Sequence, residues 1–156
     1  MPAPQHSTPA AADATTLLRR DHEAVSALFE QYEKARSSAK KFDLVQEICE
    51  ELTIHAQVEE EIFYPAVRKA IKDDDLLDEA EVEHASLKRL IAEVEGKDID
   101  SVPMFDAKIT VLSEYVKHHV KEEQNEMFPK AKKSGLDLKA LGAELAARKE
   151  ELKATA

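Results

Sequence analysis

Apolar residues recur at steps of three and four in four stretches of the chain, which short polar breaks separate. The four stripes consist of Leu18, His22, Val25, Phe29 and Tyr32; of Ile48, Leu52, His55, Glu59, Ile62 and Ala66; of Leu77, Ala80, His84, Leu87, Ile91 and Val94; and of Phe105, Ile109, Leu112, Val116, His119, Glu123 and Met127. This spacing places each set on one face of an amphipathic helix. The sequence therefore predicts four packed helices with histidines and glutamates inside their apolar faces.

The polar breaks lie at residues 37–38, 73–75, 96–103 and 134–135. Short connections favour antiparallel neighbours, so we expect an all-α fold, an up-down-up-down antiparallel four-helix bundle with an additional C-terminal helix. Three segments are predicted: a flexible N-terminal tail over 1–14, the bundle over 15–133 and the C-terminal helix over 134–156. Pro103 suits the first turn of the fourth helix.

One short phrase occurs twice in the chain. His55 and Glu59 are followed by Pro65, and His119 and Glu123 are followed at the same offset by Pro129. A histidine and a glutamate four residues apart share one helix face, one turn above the other. Proline has no N–H for the helical hydrogen-bond ladder, so we expect a bend or break at both sites.

The histidines also match in depth along the bundle. The midpoint between His22 and His55 falls in the first break, and that between His84 and His119 falls in the third. The midpoint between His55 and His84 falls a few residues before the second break, which is a poorer fit. One shared layer of side chains is the prediction.

Imidazole and carboxylate groups at one depth are suitable ligands for iron, manganese or zinc. They do not form the all-oxygen site expected for calcium or magnesium. The predicted metal ligands are His22, His55, Glu59, His84, His119 and Glu123. Six ligands exceed the need of one ion that keeps an open position, so they favour two ions bridged by the carboxylates. An oxo or hydroxo bridge would supply further negative charge. By contrast, Glu60, Glu61, Glu122 and Glu126 lie off the stripes and suit a solvated face, while His118 is expected to be exposed or outside the ligand set.

Composition narrows the classes of function. The net charge of −10 argues against nucleic-acid binding, and one cysteine, Cys49, excludes an internal disulfide. No stretch is long and apolar enough for a membrane span or a signal peptide, so the expected location is the cytoplasm.

The ordered motif, with the neighbouring strings at 20–23, 60–65 and 125–129, resembles the hemerythrin-like HHE cation-binding domain from about Leu17 to Lys132. The resemblance implies a non-haem centre of two iron ions that binds dioxygen, peroxide or nitric oxide at an open position. One position departs from the oxygen carriers: Ala80 stands where they have a further histidine. Glu81 or water could occupy the ligand position that the missing histidine leaves, and the difference puts reversible oxygen carriage in question.

Four functions remain open at this point. The first is reversible binding or sensing of dioxygen or a related ligand, and the second is a peroxide-decomposing or stress-defence enzyme at the same centre. Iron handling and a metal-free interaction bundle are the others. Binding is the more conservative reading, because the sequence offers no acid-base pair apart from the metal ligands. Protein partners and the oligomeric state stay open.

Overall fold

The computed structural model describes residues 12–156, and within that range the chain is helical without any β-strand, which confirms the all-α prediction. The helices are α1 (Ala14–Lys34), α2 (Ser38–Val58), α3 (Tyr64–Ile71), α4 (Asp74–Val94), α5 (Phe105–Glu122), α6 (Phe128–Lys133) and α7 (Leu138–Thr155). Of the predicted tail 1–14, residues 1–11 lie outside the described part. Asp13 and Ala14 belong to the start of α1.

Polar caps explain where most of these helices begin. The side chains of Asp13, Ser37, Asp73 and Asp137 each accept a hydrogen bond from a backbone N–H three residues later. Such caps satisfy one of the free N–H groups at a helix start. Helix α5 is different, since it follows Met104 in the left-handed region (φ 59°) with no side-chain cap. Pro103 therefore precedes the helix, and its predicted place in the first helical turn is wrong.

Each repeated phrase contains one π-helical turn. These turns, Glu59–Phe63 and Glu123–Met127, join α2 to α3 and α5 to α6. The N–H of Tyr64 bonds to the carbonyl of Glu59, and that of Phe128 to the carbonyl of Glu123, five residues back in both cases. Because the next residue is proline and has no N–H, the regular ladder fails here and the wider turn accommodates it. The predicted interruptions at Pro65 and Pro129 are thus π turns within continuous helices.

Two apolar clusters fill the interior, and the predicted site residues lie between them along every helix. One cluster takes the C-terminal halves of α1 and α4 with the N-terminal halves of α2 and α5. The other takes the N-terminal halves of α1 and α4 with α3, α6 and part of α7. Close packing on both sides holds the intervening polar layer in place.

The C-terminal helix α7 packs against α1 and α2. Leu141 and Leu145 are buried, and Gly142 lies directly against the backbone at Ala12 and Ala14. No helix within residues 12–156 has the length and apolar character to cross a lipid bilayer.

Candidate metal centre

All six predicted ligands come together in the buried layer between the two apolar clusters. Their donor atoms form two groups, each with atoms within 4.8 Å of one another. The first group is His22, His55, Glu59 and Glu123, and the second is Glu59, His84 and His119. Glu59 belongs to both groups and is fully buried, so its carboxylate is within reach of both sets of histidines.

The two glutamates lie between histidines of different helices. Glu59 Oε1 is 3.1 Å from His55 Nε2 and 3.3 Å from His84 Nε2. Glu123 reaches His22 Nε2 at 3.3 Å with one oxygen and His119 Nε2 at 3.2 Å with the other. The i,i+4 pairs of the repeated phrase therefore converge from both sides, and each carboxylate also contacts a histidine from a further helix.

Each imidazole is held from behind by a side chain of a neighbouring helix. Every Nε2 atom points to the carboxylates, and every Nδ1 atom contacts an oxygen of the adjacent helix. The four contacts are Asp21–His55 at 2.9 Å, Glu60–His84 at 3.0 Å, Glu83–His119 at 2.8 Å and Gln124–His22 at 3.3 Å. Partners of this kind fix the ring orientation and leave the other nitrogen free for a metal ion.

These four contacts form a closed ring around the bundle, through α1, α2, α4, α5 and back to α1. Each holding residue directly adjoins a predicted ligand of its own helix, because the next residue lies about 100° round the helix and faces the neighbour. None of these four roles was predicted from the sequence, although each residue's adjacency to a predicted ligand was a usable signal. For Glu60 the predicted solvated role is wrong, since its carboxylate joins His84 to Lys88.

Buried atoms without partners show that this layer fits a metal. Within residues 12–156, His22 Nε2, His55 Nε2, Glu59 Oε2 and Glu123 Oε1 make no hydrogen bond of acceptable geometry. The short His22–Glu123 and His55–Glu59 approaches are close contacts between these groups and are not aligned hydrogen bonds. A buried polar atom without a partner costs free energy, so four such atoms facing one point need a further group. All four are of the nitrogen and oxygen types that bind iron, manganese and zinc.

Comparison with known proteins agrees with this geometry. The profile of the hemerythrin HHE cation binding domain matches residues 13–131. The chain belongs to this family.

Two relatives of the HHE domain can be named. A DNA nickase of Nostoc sp. (strain PCC 7120) is 30% identical over 112 residues, which are 72% of this chain and 31% of the nickase. The chain thus spans about a third of that relative's length. A hemerythrin HHE cation binding domain-containing protein from Mycobacterium kansasii has a similar crystal structure, with a TM-score of 0.77 at 24% identity. The match covers 92% of this chain and 89% of that one, and it shows the shared fold.

Tyr64 adds a seventh polar group to the layer of the HHE domain. Its hydroxyl donates to Glu123 Oε2 at 2.6 Å, lies 3.4 Å from Glu59 Oε1, and lies 3.1 Å from Nε2 of both His84 and His119. Tyr64 is buried in the same apolar cluster as Ala80. The phenol oxygen therefore lies within the set of candidate ligands, on the side of His84 and His119.

The internal repeat explains why this oxygen is present on one side only. The residue that corresponds to Tyr64 in the second repeat is Phe128, whose ring is nearly parallel to His22 with centroids 6.2 Å apart. In the repeated phrase both aromatics occupy the same apolar position, and they differ only by the hydroxyl of Tyr64.

Glu81, suggested for the place near Ala80, does not lie in the centre. It is exposed and lies 3.5 Å from Arg68 on the surface. His118 is exposed as expected, near Glu83 and Glu122. His6 lies outside the described residues.

The charges of the centre are strongly coupled. Burial alone lowers the pKa of His119, but hydrogen bonds to Glu123 and Glu83 and the charges of Glu123 and Glu59 raise it overall to about 10. Burial opposes ionisation of Glu123 too, yet contacts with His119 and His22 hold its pKa well below 4.5. The buried carboxylates are therefore stable in their charged form only with positive charge close by. A bound cation would supply that charge and displace imidazole protons.

Two cavities adjoin the centre. A small one of about 20 Å³ touches the four histidines and is otherwise lined mainly by apolar residues such as Val25, Leu52 and Leu87. A larger one of about 320 Å³ opens between α1 and α5 and reaches His22 and Gln124. A molecule of a few atoms can therefore approach the layer from the His22 side.

Proposed function

We propose that this HHE domain is a non-haem di-iron protein that binds dioxygen or a related small ligand, such as nitric oxide or peroxide. The observation that carries the proposal is the pair of buried ligand groups that share Glu59, in which four polar atoms make no hydrogen bond of acceptable geometry. Iron is the family's implied metal, and manganese or zinc would suit the same ligands.

In this proposal His22 and His55 would hold one ion, and His84 and His119 would hold the other. Glu59 and Glu123 lie between them. Tyr64 offers an oxygen to the second ion, in place of the imidazole missing at position 80. When bound, the ions supply Lewis acidity and redox chemistry.

The protein's own part is to orient these groups and to control access. The ring of Nδ1 contacts keeps every Nε2 directed inward, and the apolar lining of the small cavity limits water near the histidines. His22 differs from the other three because its Nδ1 partner is the neutral amide of Gln124 instead of a carboxylate. The His22 side, where the larger cavity arrives, is the proposed route for the small ligand.

We also propose the up-down-up-down arrangement for α1, α2, α4 and α5, with α7 outside the bundle. The ring of contacts supports this arrangement because it links the four helices in chain order. The apolar clusters support it too, because one cluster combines the C-terminal halves of α1 and α4 with the N-terminal halves of α2 and α5, as antiparallel neighbours require. The net charge of −10 favours small molecules over nucleic acid as the domain's ligands. The Nostoc nickase is matched over a third of its length, so its activity is not part of the proposal.

Metal content after exhaustive loading tests the ligand assignment. The variants His119→Ala and His118→Ala carry the same substitution at adjacent positions, one inside the layer and one on the surface. We expect His119→Ala to lose at least one of two iron ions, and His118→Ala to keep both after gel filtration. Elemental analysis measures this directly, and equal losses would refute the helical phasing.

Spectra of the reduced, iron-loaded protein distinguish binding from turnover. A long-lived and reversible absorption change on adding dioxygen supports the proposed binding function. Rapid oxidation, together with oxygen evolution from added peroxide, would instead favour a catalase-like enzyme that uses the same centre.

A further inference from the structure

A second group of metal-ligand side chains lies on the surface beside the buried centre. It consists of Glu83 on α4 and His118 and Glu122 on α5, whose donor atoms lie within 4.8 Å of one another. His118 Nε2 is 3.2 Å from Glu122 Oε1 and 3.4 Å from Glu83 Oε2. One imidazole and two carboxylates from two helices form a compact set of three donors.

The set repeats the spacing of the buried centre, one residue further back. His118 and Glu122 are four apart, as are His119 and Glu123. The one-residue offset turns the outer pair about 100° away from the interior, toward the boundary with α4. The two pairs therefore stand side by side on α5, one facing inward and one facing outward.

Glu83 connects the two groups directly. Its Oε1 atom is 2.8 Å from His119 Nδ1, while Oε2 faces His118. Its side chain is 25% exposed, between the buried His119 and the exposed His118. A single carboxylate thus contacts a proposed ligand of the buried centre on one side and the outer group on the other.

The surface around the outer group attracts cations. It opens into a shallow depression whose other lining residues include Asp75, Asp78 and Glu79, with no lysine or arginine among them. Asp78 already pairs with Arg68, which leaves the other carboxylates of the depression to act on an approaching ion. The carboxylates of Glu83 and Glu122 both lie against the His118 imidazole, so a divalent cation entering here would meet two acidic oxygens and one nitrogen together.

We propose that Glu83, His118 and Glu122 form a surface loading site for a divalent transition-metal ion on its way to the buried centre. The role as a loading site depends on the proposed function, whereas binding of an ion by the three residues does not. Imidazole and carboxylate ligands at an exposed position suit weak, exchangeable binding of Mn²⁺, Fe²⁺ or Zn²⁺.

The first experiment counts ions. Protein with its buried centre filled and its metal content measured is titrated with Mn²⁺, and electron paramagnetic resonance follows the free ion. We expect one further Mn²⁺ per chain for the wild type, and loss of that ion in the double variant His118→Ala, Glu122→Gln. The control is Glu144→Gln. Glu144 is an exposed glutamate on α7, so this variant also removes one carboxylate charge but should retain the ion. If the wild type binds no further Mn²⁺, or if the double variant retains it, the site is refuted.

The second experiment tests the loading role. Chelator-treated protein is mixed with stoichiometric Co²⁺ without oxygen, and the growth of its visible absorption is followed by stopped flow. The double variant should fill more slowly than wild type and Glu144→Gln, yet reach the same final absorption. Equal rates would refute the loading role. Failure of the buried centre itself would appear separately, as a low metal content in the starting wild-type protein.

Discussion

The hydroxyl of Tyr64 provides a sharp test of the centre, because the conservative variant Tyr64→Phe removes one oxygen and keeps the buried ring. Burial and the charges of Glu123 and Glu59 raise the pKa of Tyr64 well above 10, so without a cation it remains a hydrogen-bond donor. Its bond to Glu123, at 2.6 Å, is a buried bond to a charged acceptor. Loss of such a bond costs about 2 kcal/mol, which corresponds to about 4–8 °C in Tm for a chain of this size.

The assay is thermal unfolding of chelator-treated protein, followed by circular dichroism at neutral pH. Tyr32→Phe is the matched control, since Tyr32 donates at 2.5 Å to Asp106, whose side chain is 61% exposed. That bond lies away from the centre and should contribute less than about 1 kcal/mol. If the Tm of Tyr64→Phe equals or exceeds that of Tyr32→Phe, the Tyr64 hydroxyl does not stabilise Glu123.

Iron-loaded protein gives a second reading of the same variant. A bound cation reverses the effect on the pKa of Tyr64, because its positive charge stabilises the phenolate. Phenolate bound to ferric iron absorbs visible light. We therefore expect Tyr64→Phe to lose part of the visible absorption of the oxidised protein at unchanged iron content, while Tyr32→Phe keeps the full spectrum. An unchanged spectrum would exclude Tyr64 as a ligand.

Three further predictions concern the body of the fold. Gly142→Ala should lower the free energy of unfolding, measured by urea titration, by about 1–3 kcal/mol, because the added Cβ would collide with the carbonyl of Ala12. A higher free energy of unfolding, which helix propensity alone predicts, would contradict the close packing. Burial and the charge of Glu95 raise the pKa of Cys49 to about 12, so the thiol should react with Ellman's reagent at pH 8 only after denaturation. Lys149→Met removes the cation paired with the buried Asp21, and should lower thermal stability by about 1–3 kcal/mol with rescue by Lys149→Arg; full stability of the Met variant would show that the pair contributes nothing.

The apolar stripes determined the helices and the depth of the histidines. A period of 3.6 residues directs side chains along one face, so His55 and Glu59 had to share a turn, as did His119 and Glu123. The breaks with capping residues, such as Ser37 and Asp73, located helix starts to within a few residues. These are local properties, and each can be read from residues close together in the chain.

The uncapped start of α5 shows where local reading fails. Pro103 is compatible with a first helical turn, but the chain turns once more and begins the helix after Met104. The proline fixes only its own φ angle, and the helix begins two residues later at Phe105, which is buried in the apolar core.

Only the tertiary structure decided which side chains contact the outer nitrogens of the histidines and which further groups lie among the predicted ligands. The ring through Asp21, Glu60, Glu83 and Gln124, the hydroxyl of Tyr64 at the centre, and the contact of Lys149 with Asp21 all join residues from different helices. Their geometry depends on how far each helix is rotated and how closely it packs, and those quantities arise from the whole core at once. The sequence by itself placed six donors at one level, and packing of the helices turned them toward one point.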